Sequence, residues 1–443
     1  MQIYNTLPLF IILILLIVTI LRYIRKNREA TTISGILTSM SVYLCVIPLV
    51  AVWFGDTYTL DNSFYSLSYG FENYFVCYSA ISLFLLTLTV SYNYTIRNSK
   101  RLIIVSRLKT YTKYFAYFTL IVGGVSFVIY AYSFGGFAQL LLYAEAMRSF
   151  ATDKADLFSD KSFILVVPSR LITVTPILLI LYRRFSRHSN WNSILIIGST
   201  VLASIFFLSN AGKTGILIFS LCFFVPILSY KCKHKWIVTI FLAICSIEII
   251  NYLDALFVYL ATGQFEIEAS TGTFSYLKQF SYPISNLLNL QGISTLHGFR
   301  YGQDYLTGVL NIVPGINFEP AYAVTSEYYG GADWKITGGT PNDAITFGFL
   351  QLGFLGVGFE AFLLGRICGI IDKSMLLLDD SFSNRLLKCT LIIVFFSMFV
   401  NADIVAIVRG QPTLTILVII VILSSRNNLK NNPVRYETTS KTD

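Results

Sequence analysis

Apolar residues in this chain come in runs of about 20, each long enough to cross a hydrocarbon core of ~30 Å as a helix. Eleven such helices are predicted, over approximately 6–24, 33–54, 73–92, 114–134, 162–182, 191–209, 213–230, 236–259, 343–370, 386–406 and 410–424. One interval breaks the rhythm: a polar segment of roughly 80 residues, about 260–341, between the eighth and ninth runs. A protein that only packs helices has little use for so large a loop, and loops carried on a rigid scaffold are where positioned chemistry tends to sit. The expected fold is an all-α polytopic membrane protein with one large external loop. Residues 1–425 form a single integral membrane domain, and 426–443 form a short polar cytoplasmic tail. The first run is expected to stay in the mature chain, because no basic residue precedes it and its apolar core is too long for a cleavable signal.

Composition agrees with the pattern. Apolar residues make up 55% of the chain and charged residues 13%, where a soluble domain carries about 25% charged. The net charge of +9 would suggest nucleic acid in a soluble protein, but here it follows the connectors. Those after the first, third, fifth and seventh helices are basic (Arg22, Arg25, Lys26, Arg28; Arg97, Lys100, Arg101; Arg183, Arg184, Arg187; Lys231, Lys233, Lys235). The alternate connectors are neutral or acidic. The positive-inside rule then makes the basic set cytoplasmic, with the N-terminus and the large loop outside and the C-terminus inside. The basic clusters read as topology signals, and nucleic acid is not an expected partner.

Several motifs fail on inspection. The seven cysteines (45, 77, 222, 232, 245, 368 and 389) avoid the large loop, so packing and not disulfides must hold it. Ser209 to Gly215 ends like a phosphate-binding loop but has Phe207 where the first glycine belongs. Gly353, Gly356 and Gly358 are out of dinucleotide-binding order; with Gly348, Gly365 and Gly369 they suit close approach of helices. No metal-ligand spacing is present, and no cofactor is expected.

What remains is a set of polar residues on the outer half. Arg300 lies in the loop, Arg170 inside the fifth span, Lys213 in a short outer turn and Arg409 in the turn between the last two helices. An intramembrane charge is costly and tends to face a functional interior, and arginine binds phosphate oxygens bidentately. Four such cations suit a lipid pyrophosphate; the plain alternatives are snorkelling, helix anchoring and an Arg300–Asp304 pair. His297 is the only one of three histidines on the predicted outer side, and with Asp304 and Glu327 it is a candidate general base. Loop aromatics including Tyr301, Tyr305 and Trp334 are candidate platforms for sugar faces. Glu248 and Asp254 are further buried-charge candidates, with Glu248 a suggested partner for Arg170.

The stretch from Phe299 to Leu306, followed by Val309 to Gly315, resembles the large external loop of the Wzy-type polymerases of bacterial O-antigen and capsule repeat units. Gly338-Gly339-Thr340-Pro341, then Ala344 to Leu350 and Gly353 to Val357, resemble their exit from the loop into the next helix. Ser209 to Gly215 resembles their short external turn, with Lys213 where many members have arginine. The order and spacing of these segments, over about 209–358, are more specific than any one of them.

The resemblance implies metal-independent glycosyl transfer at the outer face of the bacterial cytoplasmic membrane. A growing glycan would move from its undecaprenyl pyrophosphate onto the sugar of a new lipid-linked repeat unit. It implies catalytic roles for Arg300, His297, Asp304 and Glu327, and substrate contacts for Arg170, Lys213, Arg409, Tyr301, Tyr305 and Trp334. A lipid-linked oligosaccharide and membrane lipids are the implied partners, with a chain-length regulator left open. A lipid-linked polysaccharide flippase or exporter and an O-antigen ligase are the alternatives. Transport would call for repeated halves and broken helices at the midplane, and the sequence offers no repeat.

Overall fold

The protein, in a computed structural model, is described over residues 2–27, 29–54, 69–99, 101–143, 165–183, 190–210, 213–231, 252, 259, 280–311, 318–330, 341–376, 378 and 382–427. It is an all-α polytopic membrane protein. Among the described residues eight helices are long and apolar enough to cross a bilayer: Leu7–Arg25, Thr32–Val50, Phe71–Asn98, Val105–Ser133, Val166–Arg183, Asn190–Ser209, Ala344–Met375 and Phe382–Val400. Each coincides with a run expected from hydropathy. Two further expected spans appear as shorter apolar helices, Gly215–Pro226 and Pro412–Ser424. The run over 236–259 lies outside the described residues apart from Tyr252 and Tyr259.

Contacts at the helix ends sort into two sets, as alternating connectors require. At one end the strand Arg101–Ile103 pairs antiparallel with Ser425–Asn427, joining the connector after the third span to the segment after the last helix. The same end holds the ion pair of Lys388 with Glu29 at 2.9 Å. It also holds Asp372, whose carboxylate accepts the Thr32 amide at 3.0 Å and the Tyr92 hydroxyl at 2.9 Å. That carboxylate satisfies an amide left over at the start of helix Thr32–Met40, which Thr31 and Ser34 cap reciprocally. At the other end the Asn289 amide donates to the Tyr69 hydroxyl at 2.7 Å, and Asn73 donates to the Leu288 carbonyl at 2.9 Å. The helices of the large loop therefore sit on the end opposite the small sheet.

Glycines set how closely the spans approach. Ala344–Met375 lies along Phe71–Asn98, and a Cβ on Gly365 would fall 2.7 Å from the Leu88 carbonyl oxygen. One on Gly369 would fall 2.7 Å from Thr95 Cβ. The two residues form a small-xxx-small pair, which lets backbones close where lipid tails provide no hydrophobic drive. Ser91 adds a hydrogen bond to the Phe362 carbonyl at 2.8 Å across the same seam. Gly35 is packed equally tightly against the Ile392 carbonyl of Phe382–Val400, at 2.5 Å for an added Cβ.

The expected single span over 343–370 is broken. Leu352 (φ −150°, ψ 31°) and Gly353 (φ 60°, ψ −139°) leave the helical region, and glycine is the residue that tolerates the positive φ. An unbroken helix would put residues eight apart ~12 Å from one another along the axis. Instead a Cβ on Gly348 would meet the Gly356 carbonyl at 2.8 Å, so the chain doubles back. Hydropathy could not register this, because apolar residues continue across the break.

These contacts separate two classes of glycine. Gly365→Ala should lower stability in detergent by about 1–3 kcal/mol through overpacking against backbone. Gly358→Ala, where an added Cβ meets nothing within 4 Å, should leave the melting temperature unchanged or raise it. Thermal unfolding of the two variants side by side checks the assignment.

Candidate active site

The break in Ala344–Met375 organises the outer end. Residues 342–351 are all buried, so the carbonyls freed at the break need partners that water cannot supply. The loop provides them: the Arg300 amide donates to the Leu350 carbonyl and the Tyr301 amide to that of Gln351, both at 2.9 Å. Phe299 packs over Gly353 and meets Phe349 edge-on, with centroids 6.1 Å apart. To turn back from these bonds, the backbone takes positive φ at Gly298 (71°), Tyr301 (49°) and Gly302 (81°). Tyr301 is the only non-glycine of this kind among the described residues, and its side chain is 76% exposed.

That pinning fixes Arg300. Its Nε donates to Asp304 Oδ2 at 2.6 Å, and its Nη2 donates to Asp304 Oδ1 at 2.9 Å and to the Glu319 carbonyl at 2.7 Å. The fork is therefore the bidentate pair the sequence allowed, one turn apart on the entry to helix Gln303–Leu310. Gln351, beside the break, donates to the same Asp304 Oδ2 at 2.7 Å. The Arg300 and Asp304 side chains are largely buried, at 9% and 3% exposure. Asp304 thus accepts three hydrogen bonds, two from a guanidinium and one from an amide. Arginine has five N–H donors; three are engaged here, and the two on Nη1 have no partner among the described residues.

His297 and Glu327 form a second pair. The histidine ends helix Leu290–His297, the glutamate lies on helix Ala321–Gly330, and Nε2 meets Oε2 at 2.8 Å. Their side chains are 41% and 32% exposed, so the pair faces outward. In the neutral tautomer that donates Nε2–H to Glu327, Nδ1 carries the lone pair, which is the arrangement of an oriented general base. The two helices are held together by Asn289, which donates to the Tyr69 hydroxyl and accepts from the Tyr328 hydroxyl at 3.1 Å. Gly292 lies under the Tyr328 ring, where a Cβ would come within 2.9 Å of ring carbons.

The remaining candidates separate. Tyr305 is not an open sugar platform: its ring stands edge-on to Phe347 and Phe359, and its hydroxyl donates to Glu360 at 2.7 Å. Burial, with the nearby Glu360 charge second, raises its phenol above the ordinary value. Arg170 sits on the 3₁₀ turn Arg170–Thr173, within electrostatic reach of Tyr130, and the Arg300 cluster is assembled without it. Lys213 and Arg409 begin one helix and lie in the π turn Ala406–Gly410, but their side chains are outside the described residues. Trp334, Glu248 and Asp254 are also outside them.

Sequence reasoning missed three polar partners. Gln351 and Glu360 lie inside an apolar run; an intramembrane carboxyl is a signal in itself and would have found Glu360. Asp403, 1% exposed, accepts the Tyr322 amide at 3.0 Å and the Val405 amide at 2.8 Å, tying the turn after Phe382–Val400 to the loop. Burial raises its carboxyl above the ordinary value, and the amide bonds lower it in part. Asp343, fully buried, caps helix Ala344–Met375 through the Ile345 and Thr346 amides, and burial pushes its carboxyl up to about 6.

Searches of protein-family models, curated proteins and solved structures found no match for this chain.

Two stability outcomes follow from the geometry. Asp304→Ala leaves a buried guanidinium without its counter-charge and should cost about 3–5 kcal/mol; Asp304→Asn, which keeps an acceptor, should cost less, and denaturation in detergent ranks the two. Asp343 binds its proton more tightly folded than unfolded, so its contribution to stability falls as pH rises from about 4 to about 6. Asp343→Asn keeps a capping oxygen and should remove that slope from the stability–pH curve.

Proposed function

We propose that this protein is a polymerase of lipid-linked oligosaccharide repeat units, acting at the outer face of a bacterial cytoplasmic membrane. The observation that carries the reading is the union, on one end, of an outward-facing histidine–carboxylate pair with an arginine that is held by three hydrogen bonds and has two N–H donors without a partner among the described residues. The resemblance of 299–315 and 338–358 to the external loop of Wzy-type polymerases supports the same class. The basic connectors put the small-sheet end in the cytoplasm by the positive-inside rule, which leaves the loop end outside.

In this reading the acceptor sugar hydroxyl gives its proton to His297 Nδ1 as its oxygen attacks the anomeric carbon of the growing chain. The bond from that carbon to the pyrophosphate oxygen breaks, and the electron pair leaves on undecaprenyl pyrophosphate. The Nη1 donors of Arg300 stabilise the charge developing there, and Glu327 stabilises the imidazolium. Asp304 positions Arg300 and does not act as the base. Tyr301, held exposed at a positive φ, is a contact for substrate; a non-glycine residue there costs of order 1–3 kcal/mol, and such strain clusters at functional positions.

The test is to delete the gene in its host, run the surface glycan on a gel and complement with variants. Wild type should restore a ladder of repeats where the deletion leaves a single repeat. His297→Ala should reduce polymer formation by roughly 10²–10⁴-fold, as loss of a general base does. Arg300→Ala should also fail to restore the ladder. Tyr301→Gly should weaken it although it does not lower the melting temperature, since glycine relieves the backbone. Complete loss of surface glycan on deletion, with lipid-linked units trapped inside, would indicate a flippase; long lipid-linked polymer trapped outside would indicate a ligase.

A further inference from the structure

The helices Gln2–Asn27 and Phe71–Asn98 enclose a cleft of about 870 Å³ that the reaction above does not use. They are joined near one end, where Asn93 donates to the Tyr23 hydroxyl at 2.9 Å and Tyr23 stands edge-on to Tyr92, centroids 5.2 Å apart. Its walls are apolar: Ile12 and Leu15 from one helix, Ile81 and Leu85 from the other. Two wall hydroxyls are turned back onto their own helices, Thr19 to the Leu15 carbonyl at 2.7 Å and Thr89 to the Leu85 carbonyl at 2.9 Å. At the mouth lie Arg22, Arg97 and Asn98, and among the described residues no acidic side chain lines the cleft. Arg366 adds a third cation, 5.7 Å from the centre of the Tyr94 ring that forms part of the wall.

We propose that this cleft binds an anionic glycerophospholipid, with an acyl chain between the two helices and the headgroup phosphate on Arg22 and Arg97. The walls are long enough to cover an acyl chain through one leaflet. From Arg22 to Ile12 and from Arg97 to Ile81 the helices rise roughly 15 Å and 24 Å. Half of a hydrocarbon core is ~15 Å. The mouth lies at the end that carries the strand Arg101–Ile103, opposite the Arg300 and His297 pairs. The site is therefore separate from the proposed reaction centre and does not depend on that reading. Charge selects the occupant: two arginines with no facing carboxylate favour a phosphodiester without a balancing cation over a zwitterionic headgroup.

Native mass spectrometry of the full-length protein in a mild detergent, titrated with phosphatidylglycerol and with phosphatidylcholine, tests this. One phosphatidylglycerol should remain bound at ratios where phosphatidylcholine does not. The double variant Arg22→Ala/Arg97→Ala should weaken that adduct roughly tenfold with an unchanged melting temperature in detergent. Ser82→Trp, which leaves the arginines in place and fills the apolar part of the cleft, should weaken it too. Equal adducts with both lipids, or undiminished phosphatidylglycerol binding by both variants, would overturn the proposal. So would extraction of a polyprenyl phosphate instead of a phospholipid from the purified protein.

Discussion

The outer end of this protein depends on two carbonyl groups. Breaking a helix inside a packed apolar bundle exposes backbone acceptors, and where water is excluded each one left unmet costs several kcal/mol. Leu350 and Gln351 are freed by the break at Leu352–Gly353, and the amides of Arg300 and Tyr301 meet them. This exchange makes the polar loop an integral part of the bundle. It also ties the Arg300 backbone to the broken helix, with Gln351 and Asp304 completing the cage around its side chain. A side chain held this way needs no reorganisation when a negative charge arrives, which is how positioned dipoles and cations are effective.

The same economy runs through the rest of the bundle. Polar side chains inside it are engaged by elements distant in sequence: Asp372 by Thr32 and Tyr92, Glu360 by Tyr305, Asp403 by Tyr322. The Asp372 bonds join three spans, the Tyr305–Glu360 bond ties the loop to a span, and the Asp403 bond ties the loop to the turn after Phe382–Val400. Glycines at 35, 123, 365 and 369 bring backbones within reach of these contacts. The cleft beside the first helix is the exception, where two spans touch at one end and leave an apolar gap with a basic mouth.

Much of the site was legible as residue types and little of it as partnerships. His297 and Arg300 stand out because outer-side histidines and loop arginines are rare in so apolar a chain. The pairing of His297 with Glu327 spans 30 residues and two helices, and no local pattern encodes it. Arg300 with Asp304 was visible as a helical spacing, yet the third partner was not: Gln351, 47 residues on, donates to the same carboxylate. Tyr305 looked like a sugar platform because aromatic residues in a polar loop usually stay near the surface; Glu360, 55 residues on, draws its hydroxyl inward.

Hydropathy by itself determined that the chain crosses a membrane many times and where most of the crossings lie, because a helix in lipid must be long, apolar and internally hydrogen-bonded. The alternation of basic connectors led to the expectation that the N-terminus and the large loop share one side and the C-terminus lies on the other. Only the tertiary structure decided that the ninth run is two helices and not one. The cost of such a break is set by whether distant amides reach the freed carbonyls, which hydropathy does not record. The same holds for the outward-facing pair of His297 and Glu327: a sequence specifies the groups, and the packing of the helices that carry them specifies the distance.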